Sequence, residues 1–301
     1  MESPELPPPK WKLWRWLLLV SLLTVVMGSF VWWRVRSESI HYLEPLFVDA
    51  HCRVVKPTKD TDGLNGLRKI GEMCSLTRKS GFVLSGRGVS YEFEAQYPDF
   101  TTSNQFHQAV SRLLLTEVRL AASETPDVEW SSWWEAIKDD VRDVSDVSMS
   151  FEMLVVSDQA VSLREMLYEY SGGAHGNYSS HGRNFVEQDG GSHEIKLNEL
   201  FDGGEWPKIV SDLCVADLQR QGAAWVQPAA DETFRVTEFE AESLTFALLP
   251  SGIVFYFAPY VAGPYSDGEF EVLLPYEKLT DHLRPAGPHR LFQAEAQLKT
   301  R

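Results

Sequence analysis

From Trp16 to Trp33 the chain reads WLLLVSLLTVVMGSFVWW, eighteen positions without a charged residue. A helix rises 1.5 Å per residue, so a run of this length crosses a hydrocarbon core of about 30 Å with little tilt. Trp11, Trp14 and Trp16 stand at one end, and Trp32 and Trp33 at the other. Indole rings prefer the headgroup level, so the two clusters read as the aromatic belts of a spanning helix. A buried core helix would not carry paired Trp and Arg at its ends. A cleaved leader would have a shorter apolar stretch followed by small residues; here only Ser37-Glu38-Ser39 offers a small-x-small triplet, and the run continues into Arg34. The reading is a retained signal anchor at 16–33, with a short cytoplasmic tail at 1–15 and the bulk of the chain outside the cytoplasm.

The rest of the chain has the composition of a folded protein, 44% hydrophobic and 24% charged over 301 residues. Residues 1–36 carry five bases against two acids, a net of +3, which leaves −18 on the remainder of a chain at −15 overall. Such a domain repels phosphate backbones and excludes nucleic acid as a partner, while drawing basic partners toward it. Of the three cysteines, Cys52 and Cys74 lie early in the exported part, where a disulfide between them is chemically permitted. Cys214 falls in an apolar helical pattern and reads as a buried thiol.

Residues 34–50 read as a connector. Val89–Tyr97 alternates apolar and polar residues as a half-buried strand does. Ser103 stands where it could cap a helix with Phe106, Val110, Leu113, Leu114 and Leu120 on its apolar face. The segment holding Trp130, Trp133 and Trp134 reads as a second short helix. Strands follow at 147–155 and 163–170, with a bulge expected between Leu163 and Met166, where the apolar face switches. A further strand is read around Arg183–Glu187, a turn at Asp189-Gly190-Gly191, one helical turn at Leu197–Phe201 and a helix from Trp206 to Gly222. Late strands are expected at Phe234–Phe239, Leu244–Leu249, Ile253–Phe257 and Phe270–Leu274, then a short helix at Tyr276–Leu283 and a tail at 285–301. Hairpins interrupted by helices define an α+β class: antiparallel sheets with packed helices, preceded by one transmembrane helix. The exported part is read as two halves, 51–167 and 168–284.

The motif search excludes more than it finds. The chain has no nucleophile elbow, P-loop, dinucleotide fingerprint, zincin pair or C-x-x-C, and no cofactor is expected. His175, His181 and His193, with Asp189, are the best metal candidates, but glycine loops separate them and the reading assigns no metal. Gly172-Gly173-Ala174-His175-Gly176 could form an anion-binding nest of backbone amides or simply a tight turn, and the turn is favoured. Asp202/Glu205 and Asp267/Glu269 are carboxylate pairs of the kind that glycan hydrolysis uses, set in turn-like sequence. Pro259-Tyr260-Val261-Ala262-Gly263-Pro264-Tyr265 differs from these: two tyrosines on a proline-stiffened loop offer large contact area at low entropic cost. Tyr260 and Tyr265, with Gly173 and His175, are therefore the candidate ligand-binding residues. The two loops are expected to form one edge, with Tyr265 the more exposed ring.

Three stretches in one order carry a family resemblance: Tyr170–Gly176, Leu197-Asn198-Glu199-Leu200-Phe201, and Ile253–Tyr260 with Gly268 and Leu274-Pro275-Tyr276. Together they resemble the extracytoplasmic domain of the RsiV-type, lysozyme-responsive anti-sigma factors and of related envelope lipoproteins and deacetylase-associated domains, over residues 168–284. The resemblance implies a non-catalytic binding or sensing domain of the bacterial cell envelope, anchored in the inner membrane, with a lysozyme-like protein or a cell-wall component as ligand. The short tail leaves no room for a sigma-factor-binding segment. An envelope glycan-acting enzyme with a site near His175 is the alternative.

Overall fold

The computed structural model describes residues 27, 46–54, 72–84, 87–100, 104–124 and 142–298. The expected anchor at 16–33, apart from Met27, and the Trp-rich helix at 130–134 lie outside the described residues. Among those described, no helix is long and apolar enough to cross a membrane. The chain divides into two compact units. Of the described residues, the first holds 27, 80–84, 87–90 and 142–143, and the second 46–54, 72–79, 91–100, 104–124 and 144–298. In the first, the described Ser80, Val89 and Ser90 are buried.

The α+β class holds, with two antiparallel sheets. One has seven strands in simple sequential order: β1 (Leu46–Val54), β2 (Glu72–Leu84), β3 (Arg87–Asp99), β4 (Arg142–Val156), β5 (Ala160–Tyr170), β6 (Asn177–Gln188) and β7 (Gly191–Glu194). The other has three, β8 (Thr245–Leu249), β9 (Gly252–Phe257) and β10 (Phe270–Pro275), with β9 central. β1 crosses the expected end of the connector, and β5 runs through residues 167 and 168. Cys74 on β2 is disulfide-bonded. β1 and β2 pair with a register shift between Ala50 and Arg53, opposite Ser75 and Met73. Cys214 is a free, buried thiol whose pKa burial pushes up to about 12.

Helix α1 (Gln105–Glu124) starts where Asn104 accepts the His107 amide proton at 2.9 Å, so Asn104 caps the helix one residue later than expected. Its buried stripe is Phe106, Val110, Leu114, Val118 and Ala122, which pack on Phe93, Ala95, Met149, Phe151 and Phe185 of the sheet. Leu120, expected on that stripe, is 62% exposed. The spacing explains this: 110, 114, 118 and 122 follow a straight i, i+4 row, which 120 leaves.

No bulge separates Leu163 from Met166, because the β5–β6 register is unbroken from Ala160 to Glu169. The apolar face changes because both faces of β5 are covered. Val161 and Leu163 join the α1 core, while Ala160 and Ser162 lie on the opposite face. The register shift falls instead on β4, between Met153 and Val155. The expected strand Phe234–Phe239 is irregular chain. Its amides find partners outside any ladder, Val236 on the Trp225 carbonyl and Phe239 on Ser211 Oγ. The region expected as a tail carries a helix, His289–Leu298, with Phe292 and His289 buried. It is α3 here, after α2 (Trp206–Gln221), which ends on Gly222 in the left-handed region at φ 86°.

A second core joins α2, the three-stranded sheet and the C-terminal elements, with Trp206 stacked on Phe201 at 4.8 Å. It meets the long sheet at β6. Gly182 lies so close to β8 that a Cβ would fall 1.9 Å from the Phe246 carbonyl oxygen. Asn184, wholly buried, donates to that same carbonyl at 2.8 Å and accepts the Leu248 amide proton at 2.7 Å and the Ser162 hydroxyl at 2.9 Å. Asn184→Ala leaves the Phe246 carbonyl and the Leu248 amide buried without partners. It is expected to cost about 3 kcal/mol, read as a lower urea midpoint at unchanged slope. Asn184→Ala within 0.5 kcal/mol (roughly the range of ordinary surface changes) would contradict this view of the seam.

Candidate functional site

The paired even-numbered residues Ser162–Tyr168 of β5 and Tyr178–Asn184 of β6 share one face of the hairpin, and read outward they form three successive layers. Ser162 stands opposite Asn184 in the buried seam. Arg164 stands opposite Gly182, and Met166 opposite Ser180, in a polar layer. Tyr168 stands opposite Tyr178 at the open end.

The polar layer fastens the hairpin to the start of β10. Arg164 reaches Glu269 at 2.6 Å and Glu271 at 2.7 Å, lies over the Tyr256 ring at 4.8 Å, and donates to Ser180 Oγ at 2.9 Å. Glu269 also accepts the Ser180 amide and hydroxyl protons, both at 2.9 Å. Beyond Phe185 no β7 residue pairs with β6, so these bonds, with Thr245 Oγ1 accepting from the Gly182 amide at 2.8 Å, satisfy an otherwise open strand edge. Glu269, half of a suspected catalytic pair, is thus an internal counter-ion. Asp202 and Glu205 are exposed.

At the open end the two glycine-containing loops meet. Tyr265 stacks on His175 with ring centroids 3.8 Å apart and 18° between planes, and its hydroxyl donates to the Gly176 carbonyl at 2.7 Å. Tyr178 meets Tyr265 edge-on at 6.0 Å, and Tyr260 lies 5.8 Å away on another side. Desolvation and the neighbouring Tyr178 raise the Tyr265 pKa, keeping it a donor. Gly173, at φ 96°, turns the loop in a conformation that suits glycine, and its carbonyl accepts the Tyr170 hydroxyl at 3.2 Å. Gly176 packs against the outer end of Tyr168, where an added Cβ would fall 2.5 Å from the ring and push it aside. His175 Nδ1 donates to the Gly176 carbonyl at 3.0 Å. The loop therefore presents carbonyls already taken by tyrosine hydroxyls and imidazole, the wrong polarity for an anion nest.

Sequence reasoning paired the right loops and chose the wrong outermost ring. Tyr260, not Tyr265, is the more exposed, at 51%, because Tyr265 lies between His175, Tyr178 and Tyr260. Tyr260 also has φ 70°, in the region that disfavours a bulky side chain. The chain holds it there with two turn bonds, from the Tyr260 amide to the Gly263 carbonyl and from the Val261 amide to the Ala258 carbonyl, each 3.1 Å. The same loop continues the aromatic surface: the Ala262 carbonyl accepts the Trp225 amide, and Trp225 stacks on exposed Phe234 at 5.5 Å.

The other two metal candidates among the histidines are engaged elsewhere. His181 contacts Ser179 Oγ at 3.3 Å. His193 pairs with Glu199 at 2.7 Å. Burial alone would raise the Glu199 pKa, but the Lys196 amide and His193 hold it lower. Among the described residues, no group of three or more His, Cys, Asp or Glu is placed to hold a metal. Tyr178, Arg164 and Ser180 were not singled out in the sequence, Tyr168 was read only as a strand position, and Glu269 was paired with Asp267 rather than with Arg164. The spacing of Tyr168, Tyr170 and Tyr178 on one hairpin was the signal available.

Residues 198–277, which include Tyr260 and Tyr265, match the model of a family described as a protein of unknown function, DUF3298. No curated protein matches the chain. Two solved structures of that family are similar to it. One, from Bacteroides fragilis, is 15% identical with a TM-score of 0.48, covering 77% of this chain and 99% of its own. The other, from Pseudomonas aeruginosa, is 16% identical with a TM-score of 0.46, covering 81% of this chain and 95% of its own.

Because a non-glycine residue in the left-handed region costs roughly 1–2 kcal/mol, Tyr260→Gly is expected to be more stable than Tyr260→Ala by about 1 kcal/mol. Thermal unfolding of the two variants checks this, and an alanine variant as stable as the glycine one would remove the strain from the account.

Proposed function

We propose that the protein is a membrane-anchored, extracytoplasmic binding domain of the bacterial cell envelope, non-catalytic, that takes a protein or cell-wall ligand on the aromatic edge of its C-terminal half. The observation that carries the reading is Tyr260, a large ring held half exposed at a positive φ beside the Tyr265–His175 stack. Backbone strain at an exposed aromatic is a cost to folding, and such costs concentrate where a surface is kept for recognition. Rings of this kind act as binding anchors, and their fixed backbone limits the entropy lost on binding.

Three further features support the reading. The uncharged run 16–33 suits a signal anchor. The disulfide at Cys74 suits an oxidising compartment outside the cytoplasm. The net −18 beyond residue 36 favours encounter with a basic partner, and the RsiV-type resemblance makes a lysozyme-like protein the first candidate.

The full chain in mild detergent, immobilised and challenged with envelope extract and with a basic lysozyme, is expected to retain a ligand. Tyr260→Gly, which relieves strain rather than adding it, is expected to weaken retention by about 30-fold, the loss of one anchor worth ~2 kcal/mol. A retained ligand that Tyr260→Gly and Tyr265→Ala hold as tightly as the wild type would place the site elsewhere. A turnover that persists in purified protein and is lost in His175→Ala would replace binding with catalysis.

A further inference from the structure

Helix α3 opens on a histidine with an unsatisfied atom. His289 is 1% exposed, and its Nδ1 is buried with no hydrogen-bond partner among the described residues. Its ring lies 5.5 Å from that of Tyr276, whose buried hydroxyl likewise has no partner among them. Two unpaired polar groups at one contact oppose docking of the helix, while the burial of Phe292, one turn further on, favours it. The helix is thus held by apolar contact across a polar defect.

The surroundings of His289 suit a neutral imidazole only. β8, which packs against α3, contributes Thr245, Phe246, Ala247, Leu248 and Leu249, none of them titratable. The short helix of Tyr276 contributes Glu277 and Lys278, both exposed. In the preceding turn, Arg284 is engaged with the Phe201 carbonyl at 2.7 Å, and Gly287 packs so closely that a Cβ would lie 2.9 Å from Nδ1. The charge acting on His289 is its neighbour Arg290. His289 is also the first residue of the helix, where the backbone dipole disfavours a cation.

We propose that α3 is an acid-released strap: docked while His289 is neutral, it lets go when the imidazole takes a proton, baring Tyr276 and the core around Phe292. Burial, then Arg290, pulls His289 down from 6.5 to about 4 in the docked state. The undocked imidazole titrates near its ordinary value. Docking is therefore complete above pH 6.5, weakens as the pH falls toward 4, and loses nothing further below that. This device stands apart from the aromatic edge and does not depend on the ligand-binding reading.

Hydrogen exchange of the full chain in mild detergent, corrected for the intrinsic effect of pH, tests it. Between pH 7.5 and 5, peptides covering 289–298 are expected to lose roughly 30-fold in protection, while β9 peptides keep theirs. His289→Phe is expected to remove this acid response. Tyr276→Phe, which deletes only the unpaired hydroxyl, is expected to raise protection at both pH values and keep the response. Equal losses in α3 and β9, or an undiminished response in His289→Phe, would overturn the proposal. Should His289→Phe fail to fold, an NMR titration of the wild-type imidazole decides: a midpoint pulled clearly below 6.5, together with loss of the docked ring's signal as it titrates, supports the strap, and a midpoint at 6.5 or a ring that titrates while docked overturns it.

Discussion

The amide of Asn184 is the interaction on which the candidate site depends. One side chain takes the Leu248 amide proton and the Ser162 hydroxyl proton and gives a proton to the Phe246 carbonyl, and Gly182 lets the β6 backbone lie directly on β8. This contact sets the three-stranded sheet against the β5–β6 hairpin in one register. Asn184 and Tyr178 are six residues apart on one strand, about 20 Å. Once the seam is made, the loop between β9 and β10 can arrive only at the open end of that hairpin. The Arg164–Glu269–Ser180 layer then fixes the approach, and Tyr265 closes on His175.

Stability and exposure run in opposite directions along the hairpin. The seam is buried and rich in hydrogen bonds, and the ionic layer is partly buried, with 8% of the Glu269 side chain exposed. The outer layer keeps aromatic rings half in water and tolerates a tyrosine at φ 70°. That gradient is what a recognition surface needs: a rigid base that can absorb local strain at its rim. Under the proposed function, the net acidic charge would favour a basic partner in encounter, while the rings would supply the affinity.

Much of this was legible in the residues. Period-two alternation located β3, and the hairpin at Pro250-Ser251-Gly252 located β8 and β9, because half-buried strands and tight turns leave local signals. The union of the Gly172–Gly176 and Pro259–Gly268 loops was also foreseen. Local signals failed where tertiary partners decide. Phe234–Phe239 has strand composition but spends its amides on Ser211 and Trp225. The apparent slip in β5 comes from two covered faces, which no single-strand pattern distinguishes from a bulge. Glu269 resembled a catalytic acid because its partner, Arg164, is more than a hundred residues away. Tyr265 looked outermost because nothing in the sequence announces that His175 and Tyr178 enclose it.

The claim that two distant loops form one surface is tested most directly by a double-mutant cycle between His175 and Tyr265 on unfolding free energy. His175→Ala, Tyr265→Ala and the double variant are compared with the wild type. The stack predicts a coupling of about 1 kcal/mol beyond additivity. Strictly additive losses would show that the rings do not support one another, and that the edge is not a single surface.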